Sequence, residues 1–535
     1  MSPNAPAKST VPFGESPLRS PAIDAQTLLD PLLQSGASTG AASTGSIHLI
    51  GVAGAGMQAL AEVLLGRGYR LSGSDLELAR LSDAARRRIH ALQGHHADHL
   101  PRDCDGVIYS AAIGEENPER VEAARRGIAQ MSYPQAVARM ARGSHCVAVA
   151  GTHGKSTTTL MLAAILTAAG RDPTVIAGAT TIPAVPILPI ASEISESIHP
   201  AISLTSASVS PVAVVTSIGS GGRAGMGPDV VVEACEFRRH FLELRPQLAL
   251  LLGIEGDHFD CFPTPQSLHG AFADFVAGVD PRGLLLSSAD CPHSARIAQA
   301  SPSRHVTFGL AEDAHWRADQ LSHHRGRYHF CLRRGGHRLG TIRVPMPGRH
   351  NAMNALAAAA AAGEMGLPFQ AIEAGLRSFP GVRRRLEFSG RLGEIPWIDD
   401  FAHHPTAVAA AIRTVRQMYP RRRLVCLFQP HQLSRTRHLL DGFAKSLQNA
   451  DAVAIADVYC ARETVSPAAG TLSARLAEAV CQSGQSAAVA LPAERIVDKM
   501  TTMLTPRDVL LSLSAGDIGK VMDELAGRLR RHRAA

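Results

Sequence analysis

Lysine is almost missing from this chain: in 535 residues it occurs only at Lys8, Lys155, Lys445, Lys499 and Lys520. Aromatic residues are also few, at 4%. Charged residues at 19% and hydrophobic residues at 45% still fall in the globular range, which excludes disordered, collagen-like and coiled-coil chains. No apolar run approaches the roughly 20 residues needed to cross about 30 Å of hydrocarbon, so no membrane span is expected. Nine cysteines, an odd number without a CxxC pair, exclude a disulfide scaffold and a zinc ribbon, and fit a reducing cytoplasm. Residues 1–46 lack the basic start and unbroken apolar run of a secretory signal; rich in Ser, Ala, Pro and Gly, they read as a disordered tail. The net charge of +7 favours anionic partners, but only Arg528 to Arg533 form a dense basic cluster. A solvated helix end is the favoured reading there, and no nucleic-acid partner is expected.

What is present is α/β grammar. At about 100–200 residues per domain the length implies three domains or so. Short apolar strands at residues 46–52, 69–71 and 106–109 alternate with helices at 57–66, 118–127 and 133–141, the pattern of a parallel, Rossmann-like sheet over residues 47–143. A second unit, 144–382, opens with a strand at 146–150, a Gly-rich turn and a helix at 157–169. It continues with buried strands at 230–233 and 248–252, a β-rich section at 305–344 and an alanine-rich helix at 351–363. Residues 181–227, rich in Pro, Ser, Ile and Gly, interrupt this unit as an insertion. A third Rossmann-like unit, 383–535, has strands at 396–399, 424–428, 452–456 and 509–512.

Three constellations carry chemistry. Gly54-Ala55-Gly56-Met57-Gln58-Ala59 has the G-x-G-x-x-A form that lets backbone approach a diphosphate at a helix N-terminus, with Asp75 at the next strand end, where it could meet a ribose hydroxyl. Glycines that merely pack a helix on a strand remain the alternative, and the nucleotide is not specified. Gly151-Thr152-His153-Gly154-Lys155-Ser156 is more specific, since strand, Gly-rich turn, Gly-Lys-Ser and helix together make a phosphate nest. Its spacing departs from the Walker form, yet Lys155 is the only lysine between Lys8 and Lys445, as if a compact point charge were required there. Finally, Glu233 and the segment Glu255-Gly256-Asp257-His258 follow apolar strands beside this loop, offering oxygen ligands and one imidazole suited to Mg²⁺ or Mn²⁺. Asp399 to Pro405 and Phe428 to Arg435 place further polar groups after strands of the third unit.

The order of these motifs resembles the Mur ligases, ATP-dependent amide-forming enzymes of bacterial peptidoglycan synthesis and hence of cell-wall growth and division. The resemblance spans residues 47–518. It runs through Gly51 to Met57, Gly73 to Asp75, Ser110 to Ile113, Gly151 to Thr159, Glu233 to Glu236, Asp257-His258, Gly348 to Asn351 with Asn354, Arg383 to Arg385, Asp399 to Thr406, Phe428 to Thr436 and Ala515 to Asp517. It implies that Gly51, Gly54, Gly56, Met57, Asp75 and Ser110 hold a UDP-sugar, which removes the need for nicotinamide. It further implies that Gly151, Thr152, His153, Gly154, Lys155, Ser156 and Thr157 bind ATP phosphates, with His350, Asn351 and Asn354 near the adenine and Arg384 or Arg385 near the transferring phosphate. Ser156, Glu233 and His258 would ligate metal, and Lys155, His403 and Arg435 would be catalytic.

The implied reaction joins L-alanine to the carboxylate of UDP-N-acetylmuramate through an acyl phosphate, with ATP as driver. An alternative within the family attaches an intact L-Ala-γ-D-Glu-diaminopimelate tripeptide to the same sugar. A nicotinamide oxidoreductase built on Gly54 to Ala59 is the different-class alternative, but it leaves the P-loop without a role. The family's usual residues differ at Cys235, Arg238, Phe401 and Gln432, which bears on amino-acid selectivity more than on ATP chemistry. The carbamylated lysine of some relatives has no counterpart, because no lysine lies between Lys155 and Lys445.

Overall fold

A computed structural model describes residues 45–183, 221–461, 463–464, 466–482 and 487–534. The expected tail up to residue 44 and most of the expected insertion lie outside the described residues. The described chain forms three sheets of five, ten and six strands.

The first sheet contains β1 (Ser46–Ile50), β2 (Arg70–Asp75), β3 (His90–Gln93), β4 (Gly106–Tyr109) and β5 (Ala129–Ser132), all parallel in the order β3-β2-β1-β4-β5. β1 begins inside the segment assigned to the tail, because the Ser46 N–H donates to Asp105 Oδ2 at 2.8 Å and starts the ladder. The strand order reverses between β1 and β4, and that is where a doubly wound sheet opens a crevice at its strand C-termini. β2 runs four residues past its last apolar side chain, Leu71. Ser72 and Ser74 are buried there because the His48 ring bonds Ser72 Oγ at 2.8 Å and Ser74 Oγ donates to Glu119 at 2.6 Å.

The second sheet holds β6 (His145–Ala150), β7 (Thr174–Ile176), β8 (Gly222–Arg223), β9 (Asp229–Glu233), β10 (Leu248–Leu251), β11 (Leu284–Ser288), β12 (Arg304–Gly309), β13 (Trp316–His324), β14 (Arg327–Arg334) and β15 (His337–Pro347). Its order is β15-β14-β13-β12-β11-β10-β6-β9-β7-β8, with β6 through β12 parallel apart from the edge strand β8, and an antiparallel meander at the other edge. Uninterrupted Val, Leu and Ala in β6, β9 and β10 reflect burial on both faces, as parallel sheets require. Helices Lys155–Ala168, Arg349–Glu364 and Phe369–Ser378 cover one face, and the seven fully buried alanines from Ala355 to Ala362 with Leu356 let the second of these lie close to the sheet. Residues 221–227, expected to be part of the insertion, instead pack into the fold: β8 pairs with β7, and Gly227 donates to Asp172 O at 2.9 Å.

The third sheet contains β16 (Glu387–Leu392), β17 (Ile395–Asp400), β18 (Arg423–Gln429), β19 (Ala452–Ile455), β20 (Ala487–Ala490) and β21 (Asp508–Ser514), ordered β16-β17-β21-β18-β19-β20 and parallel except for β16. No helix among the described residues is long and apolar enough to cross a membrane.

The first and second sheets meet at a tight backbone contact. A Cβ on Gly222 would lie 1.8 Å from Ala59 O, in the helix Ala55–Gly66. Gly222→Ala is therefore expected to cost about 1–3 kcal/mol through overpacking, measured as a lowered thermal unfolding midpoint; an unchanged midpoint would refute this interface.

Candidate active site

β6 delivers the chain into Gly151 at φ +135°, where a Cβ would stand 2.7 Å from Leu252 Cβ. Gly154 follows at φ +84°, and its Cβ would stand 2.3 Å from Asn354 Oδ1. Only glycine meets both the dihedral and the spacing at these two positions. The turn is braced by Thr152, whose hydroxyl donates to Glu255 O at 3.0 Å and accepts from Glu255 N at 2.9 Å. Backbone amides are thereby gathered ahead of the helix Lys155–Ala168, with Ser156 and Thr157 buried in its first turn, the arrangement that receives phosphate.

Lys155 Nζ donates to Gly151 O at 2.6 Å and Thr152 O at 3.2 Å, and pairs with Glu236 Oε2 at 2.8 Å. Desolvation works against its ammonium, but Glu236 first and Glu233 with it hold its pKa above the ordinary lysine value. The Cys235 thiol is pushed up to about 12 by burial and by Glu236, so it stays protonated and unreactive. Glu236 also lies 3.7 Å from His258 Nε2. Desolvation lowers the His258 pKa, and its buried Nδ1 has no hydrogen-bond partner among the described residues. A neutral imidazole with an unsatisfied ring nitrogen, a carboxylate at the end of β9 and a P-loop hydroxyl make a donor set that fits a hard or borderline dication. Glu233 is oriented there by Gly178 N, which donates to its Oε2 at 2.6 Å.

A cleft of about 280 Å³ runs between the first and second sheets. Gly54, Gly56, Met57 and Ser110 line one side, while Glu233, Cys235, Phe237 and Arg238 line the other, with Tyr133 between them. The Gly-rich turn and Glu233 therefore share one space. Gly51 supports this wall from behind, at φ +82°, with room only for hydrogen beside Ser110 Cβ. Asp75 is not on the cleft lining. Its Oδ2 accepts from Ala53 N and its Oδ1 from Glu77 N, both at 2.9 Å, so it pins the Gly-rich turn to β2.

The third sheet closes over the loop from the other side. Arg435, buried, donates from Nε to buried Asp257 Oδ1 at 2.7 Å and from Nη1 toward His431. Burial alone would raise the Asp257 pKa, but the Arg435 guanidinium holds it well below the usual carboxylate range. His403 Nδ1 lies 2.8 Å from Phe401 O, which can only accept, so Nδ1 carries the proton and Nε2 the lone pair. Burial and Arg435 keep that ring neutral. His350 is held down to about 4 by desolvation, then by Arg385, His153 and Arg413, which places it between the P-loop and the start of the third unit. Asn351 Nδ2 donates to Pro347 O at 2.7 Å and Asn354 Nδ2 to Asn351 Oδ1 at 3.2 Å, a relay that sets Asn354 against Gly154.

The two candidate arginines separate. Arg385 faces Asp400 and Glu233, whereas Arg384, at φ +55°, is committed to Asp399 Oδ2 at 3.2 Å and to Ser514 O. Asp400 is pushed up to about 6 by burial, with Arg385 and two backbone amides opposing. Gln432 is buried at φ +69°, and its Nε2 has no partner among the described residues.

Glu236, which partners Lys155, had no role assigned from the sequence, and Asp257, offered there among the oxygen ligands, instead partners Arg435. Replacing Asp257 by Asn leaves the Arg435 charge buried without its carboxylate, at an expected cost of about 3–5 kcal/mol. Hydrogen exchange should show the segment around Arg435 losing protection, and equal protection in the variant would count against the pair. In the parent, the depressed Asp257 pKa makes this stabilisation complete above about pH 3.9; it is lost as pH falls from there through the lower folded-state value.

Sequence comparison gives this geometry relatives. The Mur ligase family, catalytic domain, matches residues 46–145; the Mur ligase middle domain matches residues 149–362; and the Mur ligase, glutamate ligase domain, matches residues 384–516. A UDP-N-acetylmuramate--L-alanine ligase of Salinibacter ruber is 36% identical over 89% of this chain and 93% of its own length. Another of the same name, from Anaeromyxobacter dehalogenans, is 36% identical over 91% and 98%. Among solved structures, the UDP-N-acetylmuramate-alanine ligase of Thermotoga maritima shares the fold with a TM-score of 0.70 at 24% identity, covering 91% of this chain and 100% of that one. A murein peptide ligase from Psychrobacter arcticus does so with a TM-score of 0.66 at 23% identity, over 91% and 98%. From its first sheet to its third, the chain belongs to the Mur ligase family.

Proposed function

We propose that this chain joins the amino group of L-alanine to the lactyl carboxylate of UDP-N-acetylmuramate, consuming ATP and releasing ADP and phosphate. The observation that carries this reading is the single cleft that runs from Gly54, Gly56 and Ser110 to Glu233 at the edge of the P-loop site. A UDP diphosphate on the Gly-rich turn would extend its sugar carboxylate toward Lys155 and Glu233. The names of the curated relatives at 36% identity support the same substrates.

The chemistry divides into two displacements. A carboxylate oxygen attacks the γ-phosphorus of ATP and ADP leaves; the alanine nitrogen then attacks the acyl carbon and inorganic phosphate leaves. Lys155 and the amides of Gly151 to Thr157 would neutralise the phosphoryl oxygens, and Arg385 would approach the transferring group from the opposite side. His350, Asn351 and Asn354 would border the nucleotide. Ser156, Glu233 and His258 would hold Mg²⁺, or Mn²⁺, whose chemistry is to draw charge from the phosphoryl oxygens. Arg435 would meet the amino-acid carboxylate or acyl phosphate. His403, neutral with Nε2 unprotonated, would accept the proton that the alanine ammonium must lose before attack. The first and second sheets that wall the cleft, with the third closing over the P-loop, would keep water from the acyl phosphate.

The test is phosphate release from ATP with UDP-N-acetylmuramate and L-Ala, Gly, L-Ser or the tripeptide L-Ala-γ-D-Glu-diaminopimelate, with product mass determined. Release with L-Ala and a mass gain of one alanine is expected, and Lys155→Ala should lower kcat by at least about 10²-fold, the scale of losing one transition-state charge contact. Turnover with the tripeptide alone would move the assignment to tripeptide attachment, and no turnover with any of these amines would overturn the reading.

A further inference from the structure

A second polar cluster lies at the seam between the P-loop and the third unit. His153 of the P-loop, Glu255 after β10 and His404 after β17 bring one ligand atom each to within 4.8 Å of the others. His153 Nε2 is 3.2 Å from Glu255 Oε2, and His404 Nδ1 is 3.4 Å from the same oxygen. The two imidazole centroids are 4.9 Å apart.

The His404 tautomer makes this arrangement demanding. Its Nε2 is 3.1 Å from Gly256 O, which can only accept, so Nε2 carries the proton and Nδ1 presents a lone pair. That lone pair faces a carboxylate oxygen. Two acceptors at this separation repel unless something positive lies between them, and among the described residues the donor to His404 Nδ1 is Thr406 N, at a long 3.4 Å. A second proton on His404 is disfavoured by its burial, while Glu255, held down to about 2 first by His153 and then by the Thr406 side chain, stays ionised, and a cation at the cluster would take the place of the proton between His153 Nε2 and Glu255. An imidazole whose far N–H is fixed on a backbone carbonyl is also how proteins aim a histidine at a metal. The two spacings to Glu255 Oε2, 3.2 and 3.4 Å, agree with this, since a tetrahedral ion with bonds of about 2.0–2.1 Å sets its ligands about 3.3–3.4 Å apart.

We propose that His153, Glu255 and His404 form a site for a borderline transition-metal dication of the Zn²⁺ type, distinct from the phosphate-associated cation at Ser156, Glu233 and His258, and bridging the central and C-terminal domains. Two imidazoles and one carboxylate select Zn²⁺, Co²⁺ or Ni²⁺ over Mg²⁺. His153 and Glu255 are about one-third exposed or more, so an ion has a path in and a fourth coordination position stays open. An ion held there ties the P-loop to the loop that follows β17 and so opposes separation of the two domains. The proposal does not depend on the identity of the amine or sugar.

Co²⁺ titration of the full chain without nucleotide, followed by the visible absorption of the tetrahedral ion, tests it. The band should appear in the parent and in Glu233→Gln, be bleached by Zn²⁺, and weaken in affinity by at least about tenfold in His404→Asn and in Glu255→Gln. Asn at position 404 keeps an acceptor for the Thr406 N–H that the His404 side chain now caps, and Glu255→Gln changes only charge, so misfolding of one variant leaves the other informative. The proposal is overturned by a parent without the band, by a band that survives in both His404→Asn and Glu255→Gln, or by one that disappears in Glu233→Gln.

Discussion

A guanidinium removed from water must take a counter-charge with it, and Arg435 finds its carboxylate in another domain. That requirement organises the site. Asp257 lies two residues after Glu255 and directly before His258, so the bond that docks the third sheet also fixes the segment from which two other side chains reach the P-loop. His403 and His404 arrive with the same sheet, one beside Arg435 and the other on Gly256 O. Pulling the third sheet away would therefore break the Arg435–Asp257 pair and the His404–Gly256 bond together.

Within this frame two ion pairs lie on either side of the neutral His258 imidazole. Lys155 sits on Glu236, Glu236 borders His258, His258 precedes Asp257, and Asp257 holds Arg435. Each group is neutralised by a neighbour from a different loop, which lets a dense set of ions sit where water is scarce. An anionic substrate entering such a set exchanges one counter-charge for another, at less cost than bringing charge into an apolar pocket.

Much of the architecture was legible because parallel strands buried on both faces leave unbroken apolar runs, as in β6, β9 and β10. Legibility failed where polar side chains are buried by mutual satisfaction. β2 reads as ending at Leu71, yet continues through Ser72 and Ser74, whose hydroxyls are taken by His48 and Glu119. β8 was hidden inside a Gly-rich stretch because its glycines serve a close backbone contact with Ala59. In the site, the glycines and Lys155 announced themselves through residue types that no other side chain can replace. Glu236 and Asp257 did not, since their roles come from partners 81 and 178 residues away along the chain. The division of labour between Arg384 and Arg385 was likewise invisible, being decided by a left-handed turn at Arg384.

The chain leaves and re-enters the second sheet at almost one point, where Ala177 N donates to Gly221 O at 2.9 Å beside the β7–β8 pairing. Whatever lies between those residues is closed off at its base by the fold itself. For such a closure each doubling of length adds only about 0.6 kcal/mol of entropy. This edge lies at the same strand ends as Glu233, whose Oε2 takes the Gly178 N–H, so a change of length there is cheap in entropy yet is felt directly at the cleft.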